Sequence, residues 1–295
     1  MGKADPDHPG AAQSEGPMLR PKISVVVSVY NNARTAARAV ISVLRQSIPV
    51  HEIILVDDAS RDTDFAQLTR LVHRCRSPAP LRLERLSDNV GAGLARHHGA
   101  NLARGSHVAF LDADDLWHRR KIEEVTRAIT GDGAALVGHR QPWKFEVSHD
   151  DLTRLSDIRS RPLGRLTFLM LNPILTSSIV VEARIAREMF RFGGRKAEDY
   201  MALVLASRMA ERMVFLDAPL AWALKPPFGH SGEGASILAN YHGSAIHMRR
   251  LYRARLIGVA DLAIFFAFLA ARVPIGLARQ FVYRVRYGSS AAKEC

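Results

Sequence analysis

Apolar and polar positions alternate in blocks along the first half of the chain. Ile23-Ser24-Val25-Val26-Val27-Ser28-Val29 is a nearly continuous β-branched run, the pattern of a strand covered on both faces of a parallel sheet. Ala36, Val40, Val43 and Leu44 follow at i, i+4, i+7 and i+8, one face of a helix, and Pro49 closes the connection. Glu52 to Val56 predicts a second strand, and Phe65, Leu68, Leu71, Val72 and Cys75 a second helix. Leu81 to Leu86, Ala92 to Leu102 and His107 to Leu111 predict a third strand, a third helix and a fourth strand. Strands alternating with helices predict a mostly parallel sheet built by right-handed crossovers. Further on, Arg119 to Ile129 reads as a helix and Ala134 to Gly138 as a strand, after which the pattern turns irregular. Asn172 to Val181, a helix over 196–210, Val214 to Leu216 and a Gly/Pro-rich stretch over 225–234 suggest that the domain continues. No internal repeat or interdomain linker interrupts the run.

The polar residues that end these strands change the picture from architecture to chemistry. Three of the four strands run into Ser28-Val29-Tyr30-Asn31, Asp57-Asp58-Ala59-Ser60 and Asp112-Ala113-Asp114-Asp115. In an open α/β sheet, ligands bind in the crevice outside the carboxyl ends of the strands, and residues i and i+2 point to the same side. Asp112 and Asp114 can therefore face one ligand together. Such a pair suits a hydrated divalent cation bridging two phosphates, since Mg²⁺ keeps several waters and takes only one or two protein carboxylates. A lone Asp-x-Asp is more often a solvated turn; three polar strand ends in register favour a nucleoside diphosphate. Gly91-Ala92-Gly93 is not a dinucleotide fingerprint, because Arg96 stands where the third glycine is required, and the P-loop pattern is absent.

Composition sets the limits. The chain has 295 residues, 47% hydrophobic and 24% charged, enough for one large α/β domain with an appendage. Residues 1–20, without an apolar period, are expected to be a disordered tail. They lack the apolar run of a secretory signal, and two cysteines make no disulfide framework, so a cytoplasmic location is expected. The net charge of +12 is concentrated late: eight arginines from Arg249 to Arg286 flank the apolar run Leu262 to Ala271, with Asp261 as the one acid among them. The run is about half of the ~20 residues that span a bilayer, and Pro274 is expected to end a longer helix. An interfacial segment is expected, with arginines on anionic lipid and Phe265, Phe266, Phe268 and Leu269 in the acyl boundary. The other reading is a core helix packed on the domain. Aromatics are not interleaved with the basic residues, which speaks against nucleic acid.

The three strand ends, with Asp88-Asn89-Val90-Gly91, Arg96, Trp117 and Glu198-Asp199, resemble the inverting glycosyltransferases of family 2 over roughly residues 21–236. The resemblance implies the GT-A fold, a Rossmann-like nucleotide-diphospho-sugar transferase fold, over residues 21–240. Residues 21–118 would form the donor half, 119–240 the acceptor half and 241–295 a basic amphipathic extension. It implies that the Ser28, Val29 and Tyr30 backbone, with Asn31 beside it, and Asp58 grip the base, Asp57 holding the loop or sharing the contact. A carboxylate can accept an N–H from uracil or guanine, so the base stays open. Asp112 and Ala113 would meet the ribose, Asp114 the metal (Mg²⁺ or Mn²⁺), and His230 is a candidate further ligand. Asp115 is a helix cap or supports a ligand from behind. Arg96 lies near the sugar or diphosphate, or is a solvated helix arginine; Trp117 packs on the sheet edge or lines the acceptor groove. Asp199 would be the base that takes the acceptor's proton, whereas Glu198 caps the positive helix end. The implied partners are a nucleotide-sugar donor, a glycan or polyprenyl-linked acceptor and the inner face of the cytoplasmic membrane, in cell-surface polysaccharide assembly. The competing readings are a silent nucleotide-sugar-binding or membrane-scaffold protein, and a nucleotidyltransferase, which would need a basic Gly-rich loop where Tyr30-Asn31-Asn32-Ala33 stands.

Overall fold

A computed structural model describes residues 20–144, 146–170, 174–194, 196–225 and 237–287. The expected tail 1–20, save Arg20, and His230 lie outside the described residues. The elements run β1 (Ile23–Val29), α1 (Ala33–Leu44), β2 (Glu52–Asp57), α2 (Asp62–Arg74), β3 (Leu81–Arg85), α3 (Ala92–Leu102), β4 (His107–Asp112) and β5 (Asp115–Trp117). There follow α4 (Lys121–Asp132), β6 (Leu136–Arg140), α5 (His149–Thr153), β7 (Ser160–Pro162), α6 (Arg165–Met170), β8 (Val180–Glu182), α7 (Ala183–Met189) and α8 (Glu198–Met209). The chain then forms β9 (Met213–Pro219), β10 (Ala221–Ala223), α9 (Ile237–Arg253) and α10 (Val259–Tyr287).

One sheet carries the molecule, in the order β3-β2-β1-β4-β8-β6-β9-β7. The first four strands are parallel to one another, as their alternation with helices predicts; β8 is antiparallel to both β4 and β6. The sheet is covered on both faces, which is why β1 and β2 tolerate no polar face. Val25, Val27, Ile53 and Leu55 enter one core with α1, whereas Val26, Ile54 and Val56 enter the other with α3, α7 and α8.

Two expectations are corrected in this half-irregular region. Asp115 does not cap the following helix: Asp115–Trp117 pairs antiparallel with Ala221–Ala223, and α4 begins at Lys121. Pro274 does not end the last helix. It lies on the exposed side of α10, where the carbonyl its ring displaces can turn outward to solvent. With Pro274 inside it, Val259–Gly276 becomes long and apolar enough to cross a membrane, at mean hydropathy 1.8. The stripe Leu262, Phe265, Phe266 and Leu269 packs inward against Tyr200, Met201, Met248 and Leu251. Phe265 and its neighbours therefore face the domain, not outward as expected for an acyl-boundary face. The boundary expected at 240/241 falls inside α9.

Candidate active site

The carboxyl ends of β1, β2 and β4 lie level. Ser28 pairs with Val56 on one side and Asp112 on the other, and Val29 pairs with Asp57. Hydrogen bonds lock the first two turns together: Asn31 N–H donates to Ser60 Oγ (2.8 Å), Arg61 N–H to Asn31 Oδ1 (2.8 Å) and Asp58 N–H to the Val29 carbonyl (2.8 Å). Tyr30 projects outward, 52% exposed, while Val29 is buried. Asn31, Ala59 and Ala197 have φ of 48°, 55° and 56°, three of the four non-glycine residues in the left-handed region among the described residues. Such conformations cost about 1–3 kcal/mol each and persist where neighbours over-determine them. That two follow these strand ends and the third immediately precedes α8 marks a rim built for geometry.

Asp57 and Asp58 divide their work. Both Asp58 oxygens accept backbone N–H groups of the 88–91 loop, Oδ1 from Val90 (2.8 Å) and Oδ2 from Gly91 (2.9 Å). Each oxygen keeps a further lone pair for a base. Asp57 Oδ2 accepts from Ser60 N–H (3.3 Å) and faces Arg85 at 3.5 Å, while Oδ1 is buried without a partner. Burial pushes the Asp57 carboxyl up from its ordinary value, against the Ser60 and Arg85 contacts.

Arg96 is not solvated: it is 7% exposed, which removes that alternative. Its guanidinium donates to Asp112 Oδ1 at 2.6 Å and lies 3.7 Å from Glu198 Oε1, over the Phe190 ring. Burial alone would lower its pKa; Asp112 and Glu198 outweigh burial and raise it. Arg96 thus ties the end of β4 to the start of α8, where Asp199 adds its field to the same guanidinium. Asp199 is half-exposed, and its Oδ1 accepts the Tyr200 N–H (2.8 Å). Gly93 permits this assembly, since a Cβ there would lie 2.9 Å from Glu198 Cγ. The turn before α8 is gripped from behind by α9: His247 Nε2 meets the Lys196 carbonyl at 2.9 Å, and a Cβ on Gly194 would lie 2.7 Å from the His247 ring.

Asp115 is neither exposed nor a helix cap. It is buried, and its Oδ2 accepts from Ser177 Oγ (2.5 Å) and Gln141 Nε2 (2.6 Å). Ser177 Oγ also accepts the Asp112 N–H (2.9 Å), and its carbonyl takes Trp117 Nε1 (3.0 Å) and Lys121 Nζ (2.6 Å). The Lys121 ammonium lies 3.7 Å above the Trp117 ring. Burial pushes Asp115 well above the usual carboxylate range, Asp112 and Asp114 adding to it, and holds Lys121 well below the usual value of an amine. Trp117 is fully within the core. Ser177, Gln141 and Lys121 escaped the sequence reading. The one signal was the polar Thr176-Ser177-Ser178 triplet directly before an apolar strand, where the chain makes a 3₁₀ turn.

Asp114 is half-buried at the rim, and its Oδ2 lies 2.6 Å from the Lys225 ammonium. A cation already sits against this carboxylate. Among the described residues, no group of three or more His, Cys, Asp or Glu is arranged to hold a metal ion by itself. A donor set of one or two carboxylates fits a hard divalent ion whose remaining ligands are phosphate and water.

A family model described as glycosyl transferase family 2 matches residues 24–191. The amylovoran biosynthesis glycosyltransferase of Erwinia amylovora is 27% identical over 224 residues, 72% of this chain and 73% of that one. Other curated relatives, 38–39% identical, match 35–40% of this chain, which spans only 16–36% of their length. The structure of Staphylococcus aureus TarS 1-349 with UDP-GlcNAc superposes with TM-score 0.64 at 20% identity, covering 84% of this chain and 71% of that one. Mannosyltransferase PcManGT of Pyrobaculum calidifontis, in complex with GDP-Man and Mn²⁺, superposes with TM-score 0.60 at 17% identity, covering 93% and 84%. These structural likenesses carry the fold, and it is GT-A.

Proposed function

Because the chain belongs to glycosyl transferase family 2, we propose that it transfers a sugar, with inversion, from a nucleotide-diphosphate donor to a glycan or polyprenyl-linked acceptor. The acceptor belongs to cell-surface polysaccharide assembly at the inner face of the cytoplasmic membrane, with the protein bound peripherally. The observation that carries this reading is the Asp112–Arg96–Glu198 bridge, which holds two acidic strand and helix ends at one rim. Residues 21–118 would bind the donor, 119–240 the acceptor.

In this mechanism the Asn31, Asp57 and Asp58 turns receive the base, with the Ser28 to Tyr30 backbone alongside it. Asp112 and Ala113 face the ribose. Asp114 and the diphosphate would hold Mg²⁺ or Mn²⁺, which when bound supplies charge stabilisation to the leaving diphosphate. Asp199, oriented through the Tyr200 N–H, takes the proton of the acceptor hydroxyl. The hydroxyl oxygen attacks the anomeric carbon as the bond to the diphosphate breaks on the opposite face. A single displacement needs no enzymic nucleophile. Arg96 keeps Asp112 and the Asp199 helix in register. UDP and GDP sugars occupy different GT-A structures, and a carboxylate can accept an N–H from uracil or guanine, so the acids alone do not name the base.

The test is thermal unfolding of the full chain with UDP- and GDP-linked sugars, each with Mn²⁺, with Mg²⁺ and with chelator. Binding to the folded state raises the melting temperature. A cation-dependent rise confined to one base is expected; no rise with any nucleotide in a well-folded sample overturns the proposal in favour of a silent scaffold.

A further inference from the structure

Helix α10 has two unlike faces. Its inner stripe is packed on the domain, and three polar ties fasten it there: Asp261 pairs with Arg208, Arg272 Nη1 donates to the Met170 carbonyl (3.1 Å), and Tyr241 Oη donates to the Arg272 carbonyl (3.4 Å). Its outer stripe is bare. Every exposed residue from Val259 to Ala278 whose side chain is described is Ala, Val, Ile or Pro, including Val259 (66% exposed), Ala263, Ile264, Ala267 and Ile275 (58% exposed). They recur every three to four residues, so they form one continuous strip about five turns long. A solvated helix carries polar residues on this side; a contiguous exposed apolar strip marks an interface.

We propose that this alanine–isoleucine strip is the seat of the protein on an anionic lipid bilayer, with α10 lying in the membrane plane and sandwiched between lipid and its own domain. The inference rests on the peripheral membrane contact proposed above, and deepens it by assigning the face. Charge identifies the occupant. Residues 237–287 hold eight arginines and one acid, Asp261, which is occupied by Arg208. Arg249, Arg250, Arg253 and Arg255 are exposed on the last turn of α9 and on the turn that leads into the strip. They complement anionic headgroups. Two copies meeting through this strip would instead bring like-charged arginines together. The packed inner stripe explains why a helix long enough to cross does not: spanning would strip Leu262, Phe265, Phe266 and Leu269 from Tyr200, Met201 and Leu251, and expose the Asp261–Arg208 pair to hydrocarbon. Small side chains on the outer strip let the helix axis lie close to the headgroup layer, whereas the bulky phenylalanines anchor it to the protein.

The experiment is flotation of the full chain with phosphatidylcholine vesicles, with and without phosphatidylglycerol, beside the double variant Ile264→Glu/Ile275→Glu. Both positions are exposed, so the variant keeps its denaturation midpoint. The parent is expected to float with the anionic vesicles, less so at high salt, and the variant to lose about tenfold or more of that affinity. Equal flotation of parent and variant overturns the assigned face while leaving peripheral binding in place; no flotation of the parent overturns both. Resistance of the bound parent to alkaline carbonate places α10 across the bilayer and overturns the in-plane seat. Dimers in sedimentation equilibrium that the same substitutions disperse show that a second copy covers the strip. The nucleotide-sugar melting shift, measured on the same samples, reads the donor site independently of all these outcomes.

Discussion

Four consecutive residues, Asp112 to Asp115, feed two ion clusters that differ in nearly everything but their charge. At the rim, Arg96 joins Asp112 to Glu198, and Asp112 and Asp199 stay partly open to solvent. Behind the rim, Asp115 is sealed with Ser177, Gln141 and Lys121, and Asp115, Ser177 and Lys121 are all buried. The rim cluster is held in place by a guanidinium whose geometry bridges two elements; the sealed cluster is held by one serine that bonds to Asp112, Asp115, Trp117 and Lys121 at once. The difference teaches how one short acidic stretch serves two ends. Side chains on one side of the strand end face the open rim, and the next carboxylate turns inward to pin the loop that presents them. Burying a charge is costly unless every partner is in place, so the sealed cluster should register in stability and the rim cluster in turnover.

Asp199→Asn is the sharpest way to test that split. It is expected to lower turnover about 10²- to 10⁴-fold, the usual contribution of a general base, while the donor-induced melting shift and the urea midpoint stay close to the parent's. A comparable loss of stability would assign Asp199 to architecture and dissolve the comparison. Asp115→Ala should do the converse. It leaves Lys121 buried without its neutralising neighbour and two donors unmet, and is expected to cost about 3–5 kcal/mol in urea unfolding. In the double variant with Lys121→Met the loss should be less than the sum of the two single losses, since the residues share one network.

Ser177→Ala removes the hydroxyl that joins Asp112 to Asp115. The expected cost is about 1–3 kcal/mol of stability, together with a weaker donor-induced melting shift, which a purely structural serine would not change. Ser177→Thr should restore part of both. The smallest effect is a pH dependence. His139 is buried beside the sealed cluster, its Nδ1 against the Arg140 carbonyl at 2.9 Å. Burial holds its pKa well below the ordinary value, with the Lys121 and His118 charges acting in the same direction. The unfolded chain therefore takes up the proton first as pH falls. Stability is complete above the unfolded value of about 6.5 and declines below it toward the folded value, by up to about 1.4 kcal/mol per pH unit. His139→Gln should flatten that slope in urea midpoints measured between neutral and mildly acid pH.

The amino-acid sequence by itself determined the first four strands, their parallel order with intervening helices, and the polar residues that end them. Each of these is local: a β-branched run, a helical spacing or a carboxylate one residue past an apolar stretch is legible without knowing what packs on it. The family resemblance marked Arg96 and Glu198-Asp199, though not their bridge. Tertiary structure alone decided which member of Asp112 to Asp115 faces outward. Whether Asp115 caps a helix or seals a core depends on Ser177, 62 residues away in sequence, and no periodicity encodes that meeting. The same holds for α10. Its phenylalanines and its alanines are equally apolar as a sequence, and only packing against Tyr200 and Met201 chose which side would be left bare. Burial is a property of pairs of surfaces, so a pattern along one chain segment can say that a face is apolar without saying what it will meet.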